Sequence, residues 1–599
     1  MSPRDKTLIL VGILLALFLG ALDQTIVATA LPRIVEDLNG LKRYAWVATA
    51  YLLASTALVP IYGKLADTVS RKSIEIFSVV TFLLGSFLSG LSGEFGHLPV
   101  LGDGMSQLII FRGLQGIGGA GLFSMAFIII ADLFPPNVRG RYQGLVGATF
   151  GIASVIGPWL GGLLTDYAGG IIPGVAGWRW VFYVNVPTGA VALWFLLTRM
   201  PPLRPSQDHK PMDVLGATLL IAGLVPIVLA LQLDKSTYPW GGAVTLALLG
   251  GGALMLVGFV ARSLRSANPI LDMSLFKNRV FSTANLALFF LGGAFLSLVI
   301  FLPLFMVNVV GVSATRAGLS LIPLSLGLVV GSVISGQLVS RFGRYRLLML
   351  IGAAILFVGV LLLSRMGPGV PYLRVTAFMV IAGLGVGPSM PLYPLAIQNA
   401  VDFRRIGQAT SASQFFRQIG GTVGAAVMGT VLAGSLTASF SAMQTPAGMG
   451  PSGFGGGGQV SAEGLDQVRA GITRAFDSQY QAIADAVRTG DTARLEQVVG
   501  ASPMPATAKA LVLMGGRRAV QDPQARAGFL SQLESQFKAQ AASVAEQVTT
   551  AIRQAFATAV THVYRDLLVV VMAGFLATLF VPVLTLRSSN EHAVPVALE

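Results

Sequence analysis

The sequence predicts an all-α integral membrane protein with about fourteen transmembrane helices. Three observations predict it. Of 599 residues, 54% are hydrophobic and only 11% are charged, against roughly 25% charged in soluble domains. Apolar runs of about 20 residues, enough to cross a bilayer, recur along most of the chain. Lys and Arg divide unevenly between the connections, as they do in multi-spanning proteins.

The spans are read near 7–31, 45–63, 73–92, 106–131, 142–165, 180–198, 213–233 and 241–261, and, after a polar connection, near 281–307, 317–339, 346–364, 374–397, 411–436 and 565–586. The first has the outline of a signal peptide: Arg4 and Lys6, an apolar run, then Ala28-Thr29-Ala30. Asp23-Gln24-Thr25 interrupts that pattern and many spans follow, so it reads as a retained helix. With the N-terminus in the cytoplasm, the inner segments hold twenty Lys and Arg and the short outer loops eight. This bias places both termini inside and accounts for most of the formal charge of +14. There is no basic-aromatic cluster to stack bases, so no nucleic-acid partner is expected. The 71 glycines suit closely packed membrane helices. The absence of cysteine excludes disulfides and thiolate metal sites.

Two polar connections, 199–212 and Arg262 to Val280, bracket a pair of central helices. The expected organisation is a six-helix bundle over 1–200, two central helices over 201–280 and bundle helices 9–13 over 281–436. An extracytoplasmic helical hairpin over 437–564 follows, then a last span and tail over 565–599. Gly63 to Arg71 (GKLADTVSR) and Gly336 to Arg344 (GQLVSRFGR) each follow the second helix of a six-helix unit, as an internal repeat would. The insertion is polar, with ten basic and nine acidic residues between 438 and 563. Within it Gly448 to Gly458 reads as a flexible linker. Leu465, Val468, Ile472, Phe476 and Ile483 recur at helical spacing, as do Phe529, Leu533, Phe537, Val544, Val548 and Ile552. Without Pro or Gly between Phe529 and Arg565, the second arm is expected to run unbroken into the last span.

Asp23 is the acid to single out. It lies within the first apolar span, about 13 Å below Pro32 at helical rise. A carboxylate there must pair, face water or take a proton. Burial favours its neutral form and a nearby cation its charged form, so a balanced site loads and releases a proton. Arg112, at similar depth in span four, is its natural partner. An arginine cannot usefully lose its proton, so Arg112 would tune Asp23 or bond backbone carbonyls and Gln115. Gly116 and Gly118 let a neighbouring helix approach span four. In span five, Gly157, Pro158, Gly161 and Gly162, with Gly147 and Gly151, form a small-residue pattern that Pro158 makes pliable, suited to gating against the opposite half. At the inner end of span two, Asp67, Arg71 and Lys72 are gating candidates, with Asp67 expected to hydrogen-bond or pair with basic groups such as Arg139 or Arg141. Thr25, Tyr51, Gln115 and Phe150 are the substrate-binding candidates. No G-x-x-x-x-G-K-[ST] loop and no H-E-x-x-H occurs. No ATP motor, cofactor, catalytic metal or enzyme activity is therefore expected.

These motifs resemble the fourteen-helix drug:proton antiporter family of the major facilitator superfamily. The resemblance rests on Leu22 to Pro32 (LDQTIVATALP), Gly63 to Lys72, and Arg112, Gln115, Gly116 and Gly118. It rests also on Gly151, Gly157, Pro158, Gly161 and Gly162, on Trp178 to Pro187 (WRWVFYVNVP) and on Arg417 to Gly421 (RQIGG). It spans about 7–436 and 565–586. It implies a major facilitator fold, two six-helix bundles rocking about a central site, and export driven by inward proton flow, with Asp23 as the protonated acid. Thr68 and Ser70 stand where the family's loop motif often has Arg and Gly, Ala28 where Asn is frequent, and spans ten and thirteen lack the acids of some cationic-drug exporters.

The function expected is a proton-coupled antiporter in the cell membrane that exports small hydrophobic or amphiphilic compounds by alternating access. The alternatives are a lipid or envelope-precursor exporter using the outer hairpin, with an envelope partner at 437–564, and a non-transporting receptor or scaffold.

Overall fold

The computed structural model describes residues 2–40, 43–172, 174–203, 211–235, 237–312, 319–441, 462–502 and 504–589. Among the described residues fourteen helices are long and apolar enough to cross a membrane. The fold is all-α, with an isolated β-bridge between Leu98 and Gly102. The Gly448–Gly458 segment and positions 204–210 of the first polar connection lie outside the described residues.

The first bundle comprises α1 (Pro3–Asp37), α2 (Tyr44–Thr68), α3 (Arg71–Gly90), α4 (Gly104–Leu133), α5 (Pro136–Tyr167) and α6 (Asn185–Arg199). Short helical turns at Gly177–Arg179 and Trp180–Tyr183 lead into α6. Local chemistry sets the starts. Ser2 and Asp5 form a reciprocal capping box on α1. The Asp103 carboxylate accepts from the Ser106 N–H at 2.9 Å and opens α4. The central pair is α7 (Val214–Gln232) and α8 (Ala243–Arg265). They pack through Gly223 and Gly252, while Leu254, Val257 and Leu264 of α8 stay exposed, as lipid-facing side chains do.

The second bundle comprises α9 (Arg279–Phe305, continued by a π-turn Met306–Val310), α10 (Ile322–Phe342), α11 (Tyr345–Leu363), α12 (Tyr372–Val386), α13 (Ser389–Ala400) and α14 (Ile406–Ser441). The span expected at 374–397 is thus two helices. Pro388 lacks the N–H that would continue α12, and the chain re-enters a helix at Ser389. The insertion holds α15 (Ala462–Thr489), α16 (Thr492–Ala501) and α17 (Ala506–Gln521), and its last arm is α18 (Pro523–Leu579). The expected hairpin is therefore corrected: two short helices lie between its arms. Leu495 and Val499 of α16 join Ile483, Val487, Leu533 and Phe537 in a separate core. α18 runs 57 residues without a break, so the boundary expected at 564 falls inside one helix. It ends at Leu579 rather than near 586, just before Pro582.

Glycine decides how closely these helices approach. α4 is sandwiched between α2 and α3, with Gly116 against Tyr51 and Ala54 and Gly118 against Ser78 and Phe82. In the second bundle Gly293 of α9 meets Gly420 and Gly424 of α14 backbone to backbone. The two bundles meet where α5 packs along α10 and α13, and α2 along α14.

A Cβ on Gly85 of α3 would lie 2.5 Å from the Gln115 nitrogen and 2.7 Å from its Cα. On Gly113 it would meet nothing within 4 Å. Gly85→Val should lower the thermal unfolding midpoint of purified protein by several degrees and Gly113→Val should not. Equal midpoints would contradict this packing.

Candidate functional site

Asp23 is fully buried and Arg112 is 2% exposed. Arg112 Nη1 donates to Asp23 Oδ2 at 2.5 Å and to Gln115 Oε1 at 2.7 Å, and its Nε reaches the Val47 carbonyl at 3.4 Å. Gln115 Nε2 donates to Asp23 Oδ1 at 2.8 Å. Asn185 Nδ2 lies 3.5 Å from the same oxygen and donates to Ser86 Oγ at 3.0 Å. The guanidinium carbon sits 4.6 Å from the centre of the Tyr51 ring, within cation–π range. Helices α1, α2, α3, α4 and α6 all contribute.

The arrangement has a chemical consequence. Both Asp23 oxygens are partnered, one by Arg112 and the other by Gln115. Arg112 also holds Gln115 and a backbone carbonyl, so it keeps partners if Asp23 gains a proton. Truncating either member of such a buried pair costs about 3–5 kcal/mol, because the other charge is left without compensation.

At the α2 end, Asp67 departs from expectation. Its buried carboxylate accepts from the Gly407 N–H at 2.8 Å and the Gln408 N–H at 3.0 Å. Those are first-turn donors of α14, left free by helix geometry and favourable to negative charge. Asp67 thus binds the opposite bundle through backbone, not Arg139 or Arg141. Arg139 bonds the Ala131 and Phe134 carbonyls and reaches Gln398 Oε1 of α13 at 3.2 Å. The Arg141 N–H donates to Ser340 Oγ of α10 at 3.1 Å. Arg71 pairs with Asp132 at 3.0 Å, within its own bundle, and Lys72 Nζ bonds the Leu197 carbonyl at 2.9 Å. Gln143 and Thr410 also bond Gln398. The two bundles are therefore closed on each other at this end. At the opposite end Arg43 pairs with Asp103 within the first bundle, and this guanidinium holds the Asp103 carboxyl well below the usual carboxylate range.

The glycines of α5 divide between two faces. Gly140, Gly144, Gly147 and Gly151 lie on one side and meet α10 around Gly336, Ser332, Val329 and Ser325. At 100° per residue Gly157 lies roughly 80–140° and Gly161 roughly 40–100° from that row, and they meet Thr25, Ile26 and Thr29 of α1. The expected contact of Gly157 and Gly161 with the opposite half is thereby corrected. Pro158 lies beside them within α5, and Gly162 meets nothing within 4 Å.

Of the substrate-binding candidates, Thr25 donates to the Ala153 carbonyl at 3.1 Å. Tyr51 lies against Arg112, and Gln115 is held by Asp23. Phe150 bridges the bundles, its ring 6.4 Å from Phe123 and 6.1 Å from Phe295 of α9. Sequence reasoning missed Asn185, Gln398 and Glu75. Asn185 lies inside the quoted Trp178–Pro187 stretch, which is the signal that could have found it. Glu75 of α3 is fully buried, and neither of its oxygens has a hydrogen-bond partner among the described residues.

The sequence matches the family described as Major Facilitator Superfamily over residues 13–425. It is 40% identical over 448 residues to Multidrug resistance protein 3 of Bacillus subtilis (strain 168), covering 74% of this chain and 83% of that one. It is 39% identical over 433 residues to Multidrug transporter protein MdtP of the same organism, covering 72% and 76%. The proton:xylose symporter XylE bound to 6-bromo-6-deoxy-D-glucose shares the fold, with a TM-score of 0.52 at 13% identity over 73% of this chain and 91% of that one.

Ser340 Oγ lies 3.4 Å from the Val138 carbonyl across the closed end, and the chain has no native cysteine. Cysteines at positions 138 and 340 should therefore cross-link readily with a short bifunctional thiol reagent. Adding Asp67→Ala should reduce the yield severalfold, and an unchanged yield would exclude Asp67 as a latch.

Proposed function

The chain belongs to the Major Facilitator Superfamily, and from that membership we propose that it exports hydrophobic or amphiphilic compounds in exchange for protons, by alternating access. The relatives named as multidrug proteins support the cargo class. The observation that carries proton coupling is the buried Asp23–Arg112 pair at membrane depth. In this reading Asp23 gains a proton from outside and releases it to the cytoplasm. Protonation cancels one charge of the pair, and Arg112 keeps Gln115 and the Val47 carbonyl as partners.

Gating belongs in this reading to Asp67, Arg139 and the α5–α10 glycine seam, with Arg71 and Lys72 holding α3 beneath them. The Asp67 bonds to α14 exist only while that end is shut, so they bias the equilibrium toward the closed form. The Lys and Arg asymmetry supports assigning the closed end, and both termini, to the cytoplasm. The same orientation puts the α15–α18 insertion outside, where an envelope partner could meet it.

Purified protein in proteoliposomes should accumulate an amphiphilic dye under an imposed pH gradient. Asp23→Asn should reduce gradient-driven uptake about tenfold or more, and Arg112→Ala should do likewise. Uptake indifferent to both substitutions would remove the assigned proton site while leaving the fold untouched.

One observation favours a second reading, export of a lipid or envelope precursor. α18 joins the insertion rigidly to the last span, so the insertion could guide a greasy product. Deleting 438–560 should then abolish transport in protein that still folds. Dye efflux that survives the deletion would show that the insertion is dispensable for drug transport.

A further inference from the structure

The second bundle contains a cation that the proton site does not use. Arg417 lies eleven residues into α14, about 16 Å from its start at helical rise, near the middle of a hydrocarbon core about 30 Å thick. Its Nη2 donates to Gln414 Oε1 at 2.6 Å, and its Nη1 lies 3.0 Å from the Met390 sulfur. Its Nε is buried and without a partner among the described residues. An amide oxygen and a thioether leave the positive charge unneutralised.

Among the described residues no carboxylate pairs with it. Helices α9 to α14 contain no Asp or Glu. Asp566, on the last span, is exposed, and Asp23 of the first bundle is committed to Arg112. A guanidinium at membrane depth normally pairs with an acid or a set of carbonyls, so Arg417 is short of an anion. Its surroundings put it between the bundles. Met390 faces Gly147 of α5, where a Cβ would come within 3.2 Å of the Met390 Cβ. Three residues along α5, Phe150 meets Phe295 from the other side. The adjacent Gln418 accepts from Thr56 of α2 at 3.2 Å.

We propose that Arg417 is the anion-recognising subsite of the cargo site, and that the preferred cargo is an amphiphile whose carboxylate, sulfonate or phosphate head pairs with this guanidinium while its apolar body lies against Phe150 and Phe295. The planar fork suits such heads, which accept two parallel N–H bonds. This rests on the exporter reading above and narrows its cargo. Cationic compounds would meet a like charge at mid-membrane and be disfavoured.

Two dyes with nearly the same aromatic body test it: 1-anilinonaphthalene-8-sulfonate, which is anionic, and N-phenyl-1-naphthylamine, which is neutral. Binding is measured by fluorescence to full-length protein in zwitterionic nanodiscs, with empty discs subtracted. Wild type should bind the sulfonate about tenfold or more tightly than the neutral dye. Arg417→Gln should erase that preference with little change for the neutral dye, and Arg417→Lys should keep part of it. Equal affinities in wild type overturn the proposal whatever the variants do, as does a preference that survives Arg417→Gln. Repeating the titration in discs containing an anionic phospholipid separates two sources of the head. Displacement of the sulfonate assigns the subsite to a lipid phosphate, and undiminished binding assigns it to a free amphiphile. Selective binding without gradient-driven uptake of either dye would sink the exporter reading alone.

Discussion

The low polarity of the bilayer governs this structure, because a charge carried to depth is costly until another group answers it. Asp23 and Arg112 answer each other, and five helices contribute to or line their contact. Asp67 is answered differently, by two backbone N–H groups of α14. The first arrangement fixes the interior of one bundle. The second joins the bundles, and it lasts only while they touch.

Close helix packing serves the same constraint. Gly116 and Gly118 let α4 sit deep between α2 and α3, and that depth brings Arg112 to Asp23. The glycines of α5 do two separate jobs because a helix turns about 100° per residue. One row forms the seam with the opposite bundle, and the other seats α1, on which Asp23 rides. A change on either row would be felt at the other through α5 itself.

Much of this was legible in the sequence. Fourteen apolar spans, the long helix running into the last of them and the pairing of Asp23 with Arg112 follow from hydropathy, the absence of Pro and Gly, and matched depth. What was not legible depended on contacts between distant segments. The partners of Asp67 are main-chain groups, which no side-chain pattern announces. The contacts of Gly157 and Gly161 depend on which helix fills each face of α5. Asn185 lies 162 residues from Asp23 in the chain, and only folding makes them neighbours. The two short helices inside the insertion were hidden because α16 has only ten residues, too few for a clear period.

The unbroken course of α18 has a mechanical consequence. From Arg565 back to Pro523 the helix is about 63 Å long at 1.5 Å per residue. A rod anchored in the second bundle works as a lever. A tilt of about 10° in the membrane sweeps its far end through roughly 11 Å, several times the displacement at the membrane surface. The four-helix cluster at its tip would then register each swing of the bundle at a distance, as a pointer magnifies the movement of a dial.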